Sequence, residues 1–146
     1  MDAEETPGNA RSPAALGRLW YQALASRDEQ LLRRILHPDL RFRLIGSTPV
    51  STPTVGIDAW VEHVLQPLST VLDPVRITPR RIVADDTTVV GVAHGVSRTR
   101  KGEPYASDYA HVMEVEDGRI VDITVFLDTA QLARAFAAST APGTSA

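Results

Sequence analysis

Residues 102–129 read GEPYASDYAHVMEVEDGRIVDITVFLDT, and their pattern decides the fold. Two long strands meet at a tight Glu116-Asp117-Gly118-Arg119 turn, and Asp128 or Thr129 then caps a short helix running through Phe136. Side chains alternate with a period of two along a strand. Tyr105, Ser107, Tyr109, His111 and Met113 therefore project to one side, and Ala106, Asp108, Ala110, Val112 and Glu114 to the other. The first set carries two phenols, a hydroxyl and an imidazole, chemistry suited to a pocket rather than to a solvated face.

The segment before it is also strand-rich: Arg76–Ala84 and Thr87–Arg98 pair around Asp85-Asp86. Upstream the period changes. A first helix begins at Ser12 or Pro13 and buries Leu16, Trp20 and Leu24, which recur every four residues. Asp28 caps a second helix with Leu31, Leu32, Ile35 and Leu36 inward, ended by His37-Pro38-Asp39 because residues before proline avoid the helical region. Leu40, Phe42 and Leu44 alternate with Arg41 and Arg43 as a half-buried strand, and a Ser/Thr/Pro loop follows. Gly56 precedes a third helix to about Leu72, with Ile57, Trp60, Val61, Val64, Leu65 and Leu68 inward and a kink expected at Pro67. Helices followed by a strand meander predict an α+β fold in which an antiparallel sheet curls around a cavity closed by three helices.

The chain has 146 residues, enough for one domain that buries roughly 70% of its unfolded surface. We expect a single domain at residues 13–137, with disordered polar tails at 1–12 and 138–146. The absence of cysteine excludes disulfides, thiolate metal sites and cysteine nucleophiles, and fits a cytoplasmic location. A net charge of −3, with 15 basic and 18 acidic residues and no long run of either sign, gives no footprint for nucleic acid or an anionic membrane. No apolar run approaches the length of a membrane span, and a secretory leader is not expected from the acidic, polar stretch at 1–13. Without a glycine-rich phosphate loop, a nucleotide cofactor is not expected, and strand parity separates Asp108 and Asp122 from His111, so no metal site is expected.

The element order, together with WYQALASRD (20–28), LHPDL (36–40), GEPYASDYAHVM (102–113) and EDGRIVDITVFLDT (116–129), resembles the nuclear transport factor 2-like superfamily, especially ketosteroid isomerases and SnoaL-type polyketide cyclases. The resemblance spans about Leu16–Phe136 and implies a cone-shaped curved sheet, of cystatin-like type, around an apolar pocket. Matched position by position, it places His111, Trp20 and Leu44 where the isomerases use a donating acid, a donating tyrosine and a proton-abstracting carboxylate. None of the three is retained. SnoaL-type cyclases share a histidine at His111, but their aspartate falls at Val125. The three charged residues of limonene-type epoxide hydrolases fall at His94, Val92 and Val125, and in this register Val92, His94 and Val96 are expected to face the pocket.

The resulting expectation is a cofactor-independent cyclase or isomerase acting on a hydrophobic polyketide-like molecule. His111, Tyr109 and His94 are its candidate catalytic residues, and Trp20, Phe42, Leu44, Trp60, Ser107, Met113, Ile123 and Val125 line its substrate site. A non-catalytic small-molecule-binding module and a histidine-dependent dehydratase or epoxide-opening enzyme are the alternatives. The resemblance also implies a homodimer formed through the outer sheet face, where Ala110, Val112, Thr124 and Phe126 lie.

Overall fold

The computed structural model describes residues 11–140. Of the tails expected at 1–12 and 138–146, residues 1–10 and 141–146 lie outside the described residues. Helix α1 (Pro13–Ser26) starts as the sequence predicts, with the Ser12 hydroxyl accepting the Ala15 N–H at 3.1 Å, and Arg27 ends it in a left-handed conformation. Asp28 caps α2 (Glu29–Ile35) by accepting the Leu31 N–H at 3.0 Å. That helix stops two residues short of Pro38. Leu36 is already extended and opens β1 (Leu36–Leu44). A two-residue strand, β2 (Thr54–Val55), lies in the stretch expected to be loop and pairs with Arg41 and Phe42.

The third helical region widens into a π turn just before Pro67. It comprises α3 (Ile57–Trp60), a π turn (Val61–Leu65) and α4 (Gln66–Val71). Within it the Gln66 N–H reaches back five residues to the Val61 carbonyl. Pro67 supplies no N–H one position later, and the backbone adjusts around that lost donor. Ahead of α3, Gly56 adopts φ +99°, a conformation open to glycine.

Strands β3 (Arg76–Ala84), β4 (Thr88–Arg98), β5 (Pro104–Glu116) and β6 (Arg119–Leu127) form the meander, and α5 (Thr129–Thr140) follows. The β5–β6 turn uses two left-handed residues, Asp117 (φ 51°) and Gly118 (φ 75°), as a tight hairpin of that twist requires. Asp128 accepts the Gln131 N–H at 3.1 Å to start α5, which continues four residues beyond Phe136 into the stretch expected to be tail. The sheet order is β2-β1-β6-β5-β4-β3. All neighbours are antiparallel except β1 and β6, which run parallel because the long α3 to β5 excursion intervenes between them.

The inward face of β5 is the one the sequence predicts: Tyr105, Ser107, Tyr109, His111 and Met113 are all buried. The phase of β4 is the reverse of expectation. Val92, His94 and Val96 point outward, with Val92 and Val96 about 40% exposed, while Val89, Gly91, Ala93 and Gly95 face the interior. Small residues occupy these inward positions because rings from elsewhere fill the space above them. A methyl group on Gly91 would collide with the Tyr21 hydroxyl, and one on Gly95 would lie 2.7 Å from the Tyr109 ring. We therefore expect Gly95→Ala to destabilise the fold by about 1–3 kcal/mol through overpacking, read as a lower urea midpoint at unchanged slope. An unaltered midpoint would mean that the interior above β4 has slack.

Candidate functional site

The concave side of the sheet and the helices enclose a cavity of about 500 Å3, within the range usual for small-molecule sites. Its wall is predominantly apolar. Trp20 from α1, Phe42 and Leu44 from β1, Trp60 from α3, and Val125 from β6 all line it, as expected, together with Tyr109 and His111 from β5. The π turn brings Val61, Val64 and Leu65 to the same wall as Trp60 and Leu68. Charged side chains belong to the rim, where Arg27, Glu29, Arg33 and Arg100 are exposed and Asp73 is half-buried. Among the described residues, no aspartate or glutamate is buried.

Four expected site residues have other placements. Ser107, Met113 and Ile123 are buried on the inward face but lie outside the cavity wall. The Ser107 hydroxyl is spent on structure: it donates to the Asp108 carbonyl at 2.9 Å and accepts the Asp128 N–H at 3.0 Å, fixing the entry to α5. His94 is on the opposite face of the sheet from His111. Its Nδ1 lies 2.8 Å from an Asp108 oxygen, directly across the β4–β5 ladder, with Arg80 at 3.9 Å from the same carboxylate. Cross-strand partners share a face, so the outward Asp108 fixes His94 outward too, and the imidazole pair does not converge.

His111 is enclosed by three rings. Trp20 and Tyr21 meet it edge-on, at centroid separations of 5.7 Å and 5.4 Å, and Tyr109 stacks on it at 5.7 Å and 8°. Its polar partner is therefore not Tyr109 on the same strand but Tyr21 on α1, whose Oη lies 2.8 Å from Nδ1. Sequence reading missed Tyr21 because the matched position for a helix-borne donor fell one residue earlier, on Trp20. The inward Gly91, directly opposite His111 in the ladder, was the available signal, since a glycine there admits a bulky neighbour. Further along the wall the indole N–H groups of Trp20 and Trp60 are buried without hydrogen-bond partners among the described residues.

Burial raises the acidity threshold of the phenols of Tyr21 and Tyr109 well above its ordinary value and pushes the His111 pKa down from 6.5 to about 4. All three are neutral near pH 7. The unfolded chain binds the imidazole proton near pH 6.5, whereas the folded protein resists it until about pH 4. Stability derived from the neutral ring is thus complete above the unfolded pKa and is lost as pH falls through the folded one. The loss amounts to about 3 kcal/mol. Urea denaturation of wild type and His111→Gln between about pH 7 and pH 4 should show the wild type losing that much more stability than the variant. Parallel losses in the two proteins would contradict a buried neutral imidazole.

Comparison with known proteins agrees with this architecture. An NTF2-like protein from Burkholderia thailandensis superposes with a TM-score of 0.78 at 24% identity, over 86% of this chain and 98% of that one. TerC, co-crystallised with polyporic acid, gives 0.74 at 21% identity over 84% and 97%. Wild-type IdmH, a candidate polyketide cyclase from Streptomyces antibioticus, gives 0.68 at 19% identity over 86% and 99%. At these identities the similarity is one of fold. No curated protein matches the chain. The SnoaL-like domain model matches residues 18–123, from α1 to the middle of β6, and the chain belongs to that family within the NTF2-like superfamily.

Proposed function

We propose that the protein is a cofactor-independent cyclase or isomerase that closes a ring in a hydrophobic, polyketide-like small molecule, a step of secondary metabolism in the cytoplasm. The observation that carries this reading is a mostly apolar cavity of about 500 Å3 whose deepest titratable groups are the neutral His111 and its tyrosines, with no buried carboxylate among the described residues. Membership of the SnoaL-like family and likeness in fold to TerC and IdmH support it.

Magnitudes favour folding of the substrate as the main source of rate. General acid and base groups contribute about 10²–10⁴-fold, or roughly 3–5 kcal/mol, whereas holding reacting ends in a near-attack geometry can supply about 7–11 kcal/mol. A ring closure with little proton transfer, including a cycloaddition, needs no carboxylate. His111 then polarises a carbonyl or hydroxyl of the folded chain, while the aromatic wall sets which ends meet. Assays with polyene and keto-polyene substrates test this. We expect turnover by the wild type, a rate flat between about pH 5 and 8 because His111 titrates below that window, and a loss of about 10²-fold in His111→Gln. Trp60→Leu, whose ring touches Trp20 and Phe42 but not the imidazole, should alter the product distribution instead. Tight binding without turnover would identify a binding module.

The same reading includes a homodimer. Two rows run across the outer sheet face, Phe126-Ala110-Val92 and Thr124-Val112-Val90-Val83, and Phe126, Val92 and Val83 are 44%, 39% and 53% exposed. A second copy offers the same apolar rows about a two-fold axis. Light scattering at micromolar concentration should give twice the chain mass, and Phe126→Glu should give the monomer. A wild-type monomer would remove this part of the proposal.

A further inference from the structure

Among the described residues, Tyr21 and His111 form the one buried side-chain hydrogen bond between α1 and the sheet, and its direction decides what the cavity presents to a ligand. Two arrangements share the 2.8 Å contact. In one, the phenol donates to a bare Nδ1 and the ring proton is on Nε2. In the other, Nδ1–H donates to the phenol oxygen, and the phenol proton has to find another acceptor.

The surroundings separate these arrangements. Tyr21 is 3% exposed and its hydroxyl is packed against the backbone of Gly91, with no other hydrogen-bond partner among the described residues. The second arrangement would strand a phenol proton in that space. Nε2 has no protein partner among the described residues either, and His111 lines the cavity. The first arrangement therefore leaves unpaired only the group that opens to the cavity, where a ligand or water can accept from it. Intrinsic chemistry agrees, since a phenol is the better donor and an imidazole nitrogen the better acceptor. Neutrality of both groups keeps a single proton between them.

We propose that Tyr21 is a positioning residue that locks His111 in the Nε2–H tautomer, so that the cavity carries a fixed, uncharged donor for the carbonyl oxygen of an apolar ligand. The subsite takes ketones and enones in preference to equally apolar hydrocarbons, and it offers no base at that position. Gly91 belongs to the same device, because its missing side chain is the space in which the Tyr21 hydroxyl reaches Nδ1. Assignment of the subsite to a reacting carbonyl rests on the cyclase reading above; the tautomer does not.

Long-range proton–nitrogen NMR on histidine-labelled protein at about pH 7 tests it without a substrate. Nε2 correlates with both carbon-bound ring protons and Nδ1 strongly with only one, and the His111 signals are identified by their loss in His111→Gln. The expected result is a protonated Nε2 and a bare Nδ1 in the wild type, with a mixed tautomer in Tyr21→Phe. A protonated Nδ1 or a doubly protonated ring in the wild type overturns the proposal whether or not the variant folds. Titration with 2-acetylnaphthalene and with 2-ethylnaphthalene then probes the subsite. The Nε2–H proton should move downfield with the ketone only; a response no larger than that to the hydrocarbon refutes the carbonyl site. Failure of turnover assays with an intact Nε2–H result would count against the cyclase reading and not against the tautomer.

Discussion

A buried imidazole without a carboxylate beside it can stay in a folded protein only if it is neutral and at least one ring nitrogen is hydrogen-bonded, and the interior of this chain is arranged around that constraint. His111 meets it through Tyr21, a partner ninety residues earlier in sequence. For the phenol to arrive, α1 has to lie close over β4. Close approach is possible because β4 turns Gly91, Ala93 and Gly95 inward, and Val89 meets Gly17 of α1 just beyond them. The polar pair and the packing of helix on sheet are thus two descriptions of one contact.

The same economy shapes the cavity. Tyr109 stacks over His111 and occupies the room left by Gly95, so the ring wall is continuous from Trp60 through Trp20 to Tyr109. The widened turn at Val61–Leu65 brings Val61, Val64 and Leu65 to the cavity beside Trp60 and Leu68. Charged groups are held at the rim or on the outer sheet face, where Arg41 pairs with Asp122 at 3.0 Å and Asp108 lies 2.8 Å from the His94 ring nitrogen. A pocket built this way differs in kind from one that relies on a buried acid and base. Its strength lies in shape and in hydrogen-bond donors kept dry.

Local pattern was enough for most elements and for one face of the pocket. The caps at Ser12, Asp28 and Asp128, the Asp117-Gly118 turn and the two-residue alternation of β5 and β6 are short-range effects, each visible within a few residues of sequence. From them came the α+β fold and the inward placement of Tyr109, His111 and Val125, along with Trp20, Phe42, Leu44 and Trp60.

What alternation cannot supply is its own phase when both faces of a strand look plausible. In β4 the bulky Val92, His94 and Val96 read as the inward set, yet the glycines and alanine take the interior, because Tyr21 and Tyr109 arrive from other elements to fill it. Size at a position is meaningful only relative to what packs over it, and that is a tertiary quantity. For the same reason Ser107, Met113 and Ile123 could be assigned to the interior but not distinguished from the cavity wall, and the partner of His111 could not be named at all. Sequence determined which residues face inward on the strands with one apolar side; only the folded chain decided which of them meet, since contact between α1, β4 and β5 depends on shapes brought together from distant parts of the chain.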